Sequence, residues 1–517
     1  MEQAYNPREI EAKIRNFWKE NKINEKVRVQ RLKENIGHLG FIEGPPTLNG
    51  RCHVGHSRGR ALKDLWHRFV TMRGYCVRFR AGWDTQGLPV ELEVEKELQL
   101  SNKKEIETKV GLENFVSSVK QTVAKYHDHW LTVDEKFGMS LDYENEYLTY
   151  RDEYIEREWK YLKASWDKGL LGEGYRVVAY CPGCQTSLSN TEAASEYETL
   201  EDPSIFFKFK VMGKDSEFLL LWTTMPFTIV TDMLAAVNPE ATYTRVKVGQ
   251  ETWILAKNRL QVLQELGIGS FEVVEEISGE SLDNLEYEYP LLDLVEGLKG
   301  MREKGVPIHR IVSEGFVDLT TGTGIVHLSP GNGEEDFVAG TKRALPVFSP
   351  FDDEAKFTAE AGHFSGMFAR DADAEVVKLL KERNALVKVD KVLHEYPTCW
   401  RSRHRLIFVA RREYYIWSDK INNMLLQAAE KVEYYYDEPK NRFVSILEEA
   451  RPWCISRDRY WGTPLPIFVC TKCSSKILVS SRKELIDKAA SLPDGENFEL
   501  HRPWIDRVIL RCSKCGG

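Results

Sequence analysis

Apolar positions recur at two different periods, and the period changes along the chain. Near the start, Ile10, Ile14 and Phe17 fall three and four apart, the spacing of one helix face. Asn6-Pro7-Arg8-Glu9 reads as the start of that helix, with Asn6 as cap, Pro7 in the first turn and Glu9 closing a capping box. An apolar run at 38–42 then leads into Gly44-Pro45-Pro46 and a loop reaching His53. Leu62, Leu65, Trp66, Phe69 and Met72 predict an amphipathic helix. Strand, loop and helix in that order form the first half of an α/β nucleotide-binding unit. Ile155, Trp159, Leu162 and Trp166 predict a further helix, ended by Gly169 and Gly172. From about 200 to 345 the text becomes short β-rich runs, at 204–211, 217–222, 242–248, 252–256 and 322–328, split by Gly, Asn and Asp. That change predicts a separate β-rich domain inserted into an α/β chain. Residues 396–468 return to Arg- and aromatic-rich text, and 468–517 hold two cysteine pairs around a short charged helix.

Composition narrows the class. Hydrophobic residues are 42% and charged residues 29% of 517, the balance of a soluble globular chain of about three to five domains. No stretch approaches the ~18 consecutive apolar residues of a membrane span. The start MEQAYNPREI has no apolar segment of a secretory signal, so a cytoplasmic chain with no membrane partner is expected. A net charge of -8 excludes a basic nucleic-acid coat, though not a local nucleic-acid contact. Between 51 and 80 the balance reverses to +7, which fits either an anion-binding face or a solvated helix surface.

Six of the ten cysteines form three C-x-x-C pairs, at 181/184, 470/473 and 512/515. Without an export signal, this spacing points to metal ligands before disulfides. Cys470, Cys473, Cys512 and Cys515 supply four thiolates for one tetrahedral zinc. His53-Val54-Gly55-His56 opens a predicted helix, where free N–H groups and the helix dipole favour phosphate. Two imidazoles there can donate to oxygens that gain charge, and Gly55 leaves room for a flat base. Taken alone, the four residues fit a metal site or chance as well. Asp84, within Gly82–Pro89, suits either a substrate ammonium group or a turn.

GPPTLNGRCHVGH, AGWDTQGLPVELEVEKEL, YCPGCQTSLS, LLLWTTMPFTIVTDMLAAVNPE, GTGIVHLSPGNGEEDF and WCISRDRYWGTPLPIF resemble, in that order, the class I aminoacyl-tRNA synthetases. The likeness covers essentially the whole chain and is greatest to the isoleucyl branch, in its archaeal and eukaryote-like form; valyl and leucyl enzymes are the alternatives. It implies an α/β fold: the first half of a Rossmann-like catalytic domain, a large inserted β-rich editing domain and zinc-ribbon-like elements. The implied boundaries are 1–196 and 396–468 for the catalytic part, 197–395 for the insertion and 469–517 for the zinc-ribbon-like part. His53, Gly55 and His56 match the signature that binds ATP, with Mg, and stabilises the α-phosphate transition state. Gly44, Pro45 and Asp84 match positions lining the aminoacyl site, with Asp84 on the α-ammonium group, and Trp461 matches a wall of the side-chain pocket.

In the insertion, Thr223, Thr224 and Thr228 match the threonine-rich stretch of the editing site, and His327 and Asp336 match its second motif. Three positions depart from the pattern: Gln86 for histidine, Met225 for threonine and Asp232 for asparagine. Cys181, Cys184 and Cys399 match a second zinc site whose fourth position is Ser402, with His404 as a candidate substitute; free core thiols are the alternative. The implied partners are isoleucine, ATP and the isoleucine tRNA, with the protein a monomer. No K-M-S-K-S signature occurs. The chain is therefore expected to be the N-terminal part of a longer ligase, inactive by itself in adenylate formation. A module that only edits or binds tRNA is the reading from another class.

Overall fold

The computed structural model describes residues 6–41, 44–449, 451–493 and 495–517. Ile42, the end of the apolar run at 38–42, lies outside them. The chain divides into two compact units, Met1–Leu170 with Arg459–Gly517, and Leu171–Asp458.

The first unit opens with helices α1 (Pro7–Glu20) and α2 (Ile23–Lys33). Asn6 does occupy the cap position of α1, but its side chain makes no capping bond, so the expected capping box is absent. Strand β1 (His38–Gly40) is followed by α3 (Val54–Met72) and by β2 (Cys76–Arg78), which pairs with β1 in parallel. A parallel pair needs such a crossover, and the helix supplies it. A second parallel pair, β3 (Arg80–Trp83) with β4 (Asp142–Leu148), spans α4 (Leu88–Glu97) and α5 (Leu112–Phe137). Phe79, Trp83, Val90, Val94, Phe115, Val119 and Trp130 form the core between these elements.

The α3 helix forms where its apolar spacing predicts, yet that spacing does not mark its buried face. Leu62, Leu65, Phe69 and Met72 are 56–81% exposed, and the buried residues are Arg60, Asp64 and Thr71. The reason is a polar lock. The Arg60 guanidinium lies 5.2 Å from the rings of both Trp83 and Trp130 and pairs with the buried Asp134 at 3.3 Å. Asp64 accepts hydrogen bonds from the backbone N–H and hydroxyl of Ser140. A buried charge is tolerated only when partnered in this way.

Helix α6 (Asp152–Asp167) buries Ile155 and Trp159, as its stripe predicts. Against them pack Val479, Leu485, Phe498 and Leu500 of the chain's last segment, and the Trp159 indole donates to Pro464 O at 2.8 Å. That segment carries a hairpin, Ile467–Val469 with Lys476–Leu478, and the short helix Arg482–Lys488.

The second unit begins with strands β5 (Leu171–Cys181) and β6 (Thr186–Leu188). Next come β7 (Tyr197–Val211), β8 (Glu217–Thr223), β9 (Leu234–Val237), β10 (Thr242–Val248), β11 (Glu251–Ala256), β12 (Glu272–Ser278) and β13 (Tyr287–Glu288). The last are β14 (Arg310–Ser313), β15 (Ile325–Leu328), β16 (Leu386–Pro397), β17 (Ile407–Ile416) and β18 (Trp453–Cys454). Each β-rich run read from the sequence contains a strand. One sheet has the order β12-β10-β11-β8-β7-β13, with β16 also on β7. Two smaller sheets are β14-β9-β15 and β18-β17-β5-β6. The β7–β16 register runs from Phe207↔Leu386 to Tyr197↔Pro397, so the segment between 197 and 397 starts and ends at paired neighbours.

Candidate functional site

The N-terminus of α3 is built from its own two histidines. His53 is the cap residue, and its Nδ1 accepts from the Gly55 N–H at 3.1 Å. His56 reaches back, its Nδ1 accepting from the His53 N–H at 3.3 Å. The two rings stack with centroids 3.7 Å apart, and His56 meets the edge of Trp130 at 4.9 Å. A Cβ on Gly55 would stand 2.9 Å from the His53 ring, so the fold-back of His53 requires glycine whatever else approaches. Burial, with the charges of His53 and Arg60, lowers the His56 pKa, which keeps the ring neutral near pH 7. His53 stays exposed and His56 half-buried. With both Nδ1 atoms committed to backbone, each ring's Nε2 carries the proton, a donor for a charged oxygen.

Beside this corner, residues 46–48 run parallel to Asp84: the Leu48 N–H donates to Asp84 O (2.8 Å) and the Asp84 N–H to Pro46 O (3.0 Å). The Thr47 hydroxyl donates to Asp84 Oδ2 at 2.8 Å. Gly44 and Pro45 lead into this segment, and nothing within 4 Å would oppose a Cβ on Gly44. Burial raises the pKa of Asp84 and of Glu158, and the charge of Asp84 adds to the rise at Glu158. Two carboxyls that burial and mutual repulsion disfavour as anions would both be relieved by a cation.

Trp461 is 1% exposed and is tied to the same loop. Its indole N–H donates to Thr85 O (2.7 Å), its carbonyl accepts from the Gly87 N–H (3.1 Å), and its ring stacks on His501 at 4.2 Å. Gln86, where the resemblance expects histidine, bonds His501 Nε2 (2.8 Å) and accepts from the Thr463 hydroxyl (2.8 Å). Thr463 also bonds Glu158. Glu158 and His501 carry no local motif, and Thr47 lies in the first motif without a role read for it; only their long-range contacts reveal them.

In the second unit a cavity of about 300 Å³ is lined by Trp222, Thr223, Thr224, Met225, Thr228, His327 and Asp336 among others. The sequence-predicted residues of 223–228 and 327–336 therefore share one wall-to-wall space. Thr228 donates its hydroxyl to Met225 O (2.7 Å) and lies 3.1 Å from His327 Nε2. Thr223 Oγ1 accepts from the Met225 N–H at 3.1 Å. Asp336 stands in the first turn of the helix Glu334–Lys342 and accepts from the Ser329 N–H at 2.8 Å. A Cβ on Gly333 would sit 2.5 Å from its carboxyl carbon, so glycine there makes room for the side chain. Burial raises the Asp336 pKa to about 6. Behind the cavity, Asp232 is fully buried against His327 and accepts from Tyr287 at 2.6 Å.

The cysteines gather as two groups. Cys470 and Cys515 Sγ lie 3.6 Å apart, and Cys473 and Cys512 3.7 Å. Four sulfurs at about 2.3 Å from one zinc would be about 3.8 Å apart, so the set fits that ion, whereas a disulfide needs about 2.05 Å. The second group is Cys181, Cys184 and Cys399, all buried, with Cys184 and Cys399 Sγ 3.7 Å apart. Ser402 Oγ stands 3.1 Å from Cys181 Sγ. His404 is not part of this group: its Nδ1 bonds the carbonyl of Ser402 at 3.0 Å, because its ring lies across Gly183. The hydroxyl, not the imidazole, is the group beside the thiols.

Residues 13–514 match the family described as tRNA synthetases class I (I, L, M and V). The chain belongs to that family, and it has the class I synthetase catalytic fold. Its relatives include proteins named isoleucine–tRNA ligase. That of Thermococcus kodakarensis is 39% identical over 98% of this chain and 50% of its own length. That of Methanocaldococcus jannaschii is 37% identical over 99% and 50%, and that of Clostridium acetobutylicum 40% over 98% and 47%. The chain thus spans about half the length of the curated relatives it matches. No helix among the described residues is long and apolar enough to cross a membrane.

Proposed function

We propose that this chain is part of an isoleucine–tRNA ligase and carries the histidine half of the site that activates isoleucine with ATP, inactive by itself in adenylate formation, and that it also hydrolyses wrongly charged tRNA. The observation that carries the first half is the two-histidine cap of α3. It aims Nε2 donors outward from a helix N-terminus, where phosphate is favoured. On this reading ATP, with Mg neutralising its phosphates, meets His53 and His56. Asp84 and Glu158 hold the ammonium of isoleucine, and Trp461 walls its side chain. Isoleucyl-adenylate and pyrophosphate form, and the acyl group passes to the isoleucine tRNA. Identity of 37–40% to isoleucine–tRNA ligases over nearly the whole chain supports isoleucine over valine or leucine. In the protein that carries this chain, His56→Ala should lower kcat for isoleucine-dependent ATP–pyrophosphate exchange by about 10²–10³, with little change in KM. A change confined to KM would refute the role.

The second half rests on the cavity of Thr223, Thr224, Thr228, His327 and Asp336, and 197–395 is read as the editing domain that holds it. The pairing of Tyr197 with Pro397 supports an insertion with adjacent ends. Valine lacks one methylene of isoleucine, worth only about 1–3 kcal/mol, a figure established on this class of enzymes. A second, hydrolytic site then multiplies the discrimination. Asp336 would take the ammonium of a misplaced valine. Only its anion can do so, and with its pKa near 6 hydrolysis of valyl-tRNA should fall as pH drops through about 6. Asp336→Ala should abolish that hydrolysis; an unchanged rate would remove the anchor.

The remaining segments, 1–196 and 396–468, are read as catalytic, and 469–517 as a zinc-ribbon-like element. One zinc on Cys470, Cys473, Cys512 and Cys515, and a second on Cys181, Cys184 and Cys399 with Ser402 beside them, complete the reading, for a monomer in the cytoplasm. Metal analysis of protein kept from chelators should return one to two zinc ions per chain, and Cys512→Ser should lose one.

A further inference from the structure

Four short turns present the six paired cysteines and Cys399, and they share one backbone form. The Cys470 N–H donates to Ser475 O (2.9 Å), the Ser474 N–H donates back to Cys470 O (2.9 Å), and Ser474 is left-handed at φ 56°. The Cys512 N–H donates to Gly517 O (2.8 Å) and the Gly516 N–H to Cys512 O (2.9 Å), with Gly516 at φ 73°. The turn from Cys181 closes with Cys181 opposite Thr186 and has Gln185 at φ 52°. In these three turns the fourth residue is a second cysteine, Cys473, Cys515 or Cys184. The turn from Cys399 repeats the form. Its N–H donates to His404 O (2.8 Å), the Arg403 N–H donates to Cys399 O (2.8 Å), and Arg403 is left-handed at φ 60°. An arginine seldom takes that conformation, so this turn is built rather than incidental. Its fourth residue is Ser402. The backbone therefore sets the Ser402 hydroxyl where the other three turns set a thiol.

The side chains agree. Cys181, Cys184 and Cys399 are each 0% exposed, Cys184 and Cys399 Sγ are 3.7 Å apart, and Ser402 Oγ lies 3.1 Å from Cys181 Sγ. On one zinc, a sulfur at about 2.3 Å and an oxygen at about 2.0–2.2 Å stand about 3.5 Å apart, so the hydroxyl needs to move only a few tenths of an ångström. We propose that Ser402 is the fourth ligand of the second zinc, bound through a lone pair of its hydroxyl oxygen, and that this ion is held more weakly than that of the four-thiolate set. The inference rests on reading the three buried thiols as a zinc site.

A thiolate ligand is charged and soft, whereas a hydroxyl keeps its proton and brings neither property. Three thiolates and a hydroxyl therefore leave one negative charge fewer around the ion than four thiolates do, which eases burial of the set and weakens its hold on the metal. Burial also explains why a hydroxyl suffices here. With all three sulfurs fully buried and Ser402 half-buried, a water has little room to take the hydroxyl's place. The four-thiolate set is only partly buried, so a serine there competes with solvent, and Cys512→Ser is expected to lose its ion. His404 does not fill the fourth position. Its ring lies across Gly183, where a Cβ would stand 2.3 Å from Nδ1, and that nitrogen bonds Ser402 O at 3.0 Å.

The test loads the full chain with zinc and withdraws it with graded EDTA at pH 7. Two steps are expected, the ion of the serine-containing set leaving at an EDTA concentration at least about tenfold lower than the other, since even an outer-shell partner changes metal affinity on that scale. Ser402→Cys should hold that ion at least about tenfold more tightly than the parent, Ser402→Ala at least about tenfold less, and His404→Ala within about threefold. With ¹¹³Cd in place of zinc, NMR of the parent should give one four-sulfur resonance and one moved upfield by an oxygen ligand. Ser402→Cys should bring the second to the four-sulfur position. That variant gains affinity, a result misfolding cannot imitate. If Ser402→Ala keeps the second zinc as tightly as the parent, the ligand role is overturned and the zinc reading stands; loss of that zinc in His404→Ala alone has the same meaning. One zinc in the parent and two in Ser402→Cys would overturn the hydroxyl as a ligand. One metal ion per chain in both proteins would overturn the reading of the three thiols as a metal site.

Discussion

His53 and His56 stand at an open helix end, and both of their Nδ1 bonds go to N–H groups of their own first turn. His327 is buried on β15, and its neighbours Thr228, Asp232 and Tyr287 come from a short turn, its end and the edge strand β13. The first site is local: four consecutive residues make it, and its rings remain available to a partner. The second is a buried cluster whose hydrogen bonds join distant parts of the chain. A local site costs little to disturb and loses chemistry when mutated. A buried network loses stability as well, because each deletion leaves a polar group without a partner.

The largest expected effect tests that contrast directly. His327→Ala leaves the Asp232 carboxyl buried and half-satisfied, and should destabilise its unit by about 3–5 kcal/mol. His56→Ala removes a half-exposed ring and should stay within about 0.5 kcal/mol. Denaturant unfolding of the 517-residue chain measures both, and equal losses would erase the distinction.

Acid, in contrast, should weaken the two units alike. His309 in the second unit and His501 in the first are held near pKa 3, His309 by burial and the charge of Arg302, His501 by burial and that of Lys120. The folded state then binds fewer protons than the unfolded chain below pH about 6.5. Stability is full above that pH and declines toward pH 3, by about 2 kcal/mol per histidine between pH 6.5 and 5. Unfolding curves at pH 7 and pH 5, with His309→Gln and His501→Gln, should each show one slope reduced.

Two glycines give the smallest and sharpest comparison. Gly55→Ala pushes the His53 ring from its cap, at a cost of about 1 kcal/mol. Gly333→Ala drives a methyl group into the Asp336 carboxyl and should reduce valyl-tRNA hydrolysis while leaving ATP–pyrophosphate exchange intact. A Gly55→Ala protein with an unaltered melting temperature would show that the histidine cap is not what orders the first turn of α3.

Periodicity and motif were enough for much of this. The helices at 7–20, 54–72 and 152–167, the strands over 204–211, 217–222, 242–248 and 252–256 and the four-cysteine set are legible, because each depends on residues close together or on a spacing that a shared metal would ask for; the strand Leu234–Val237 was not read. The face of α3 was not legible from spacing. Its apolar residues Leu62, Leu65 and Phe69 mark a stripe, but the buried side is set by Arg60 between two tryptophans and above Asp134, more than seventy positions away. His404 fits the sequence spacing of a metal ligand, and the structure turns it onto a carbonyl beside Gly183.

The amino-acid sequence by itself carried the likeness to the class I synthetases, placed the histidine corner at the head of α3 and marked which residue types could bind metal. The corner and the metal candidates follow from short-range rules: helix ends expose N–H groups, and thiols three positions apart can share an ion. Only the tertiary structure decided that Glu158 stands near Asp84, that Gln86 bonds His501, and that Asp232 lies buried 3.3 Å from His327. Those relations join residues dozens to hundreds of positions apart, and the energy that selects them is desolvation, which exists only once the chain has closed around them.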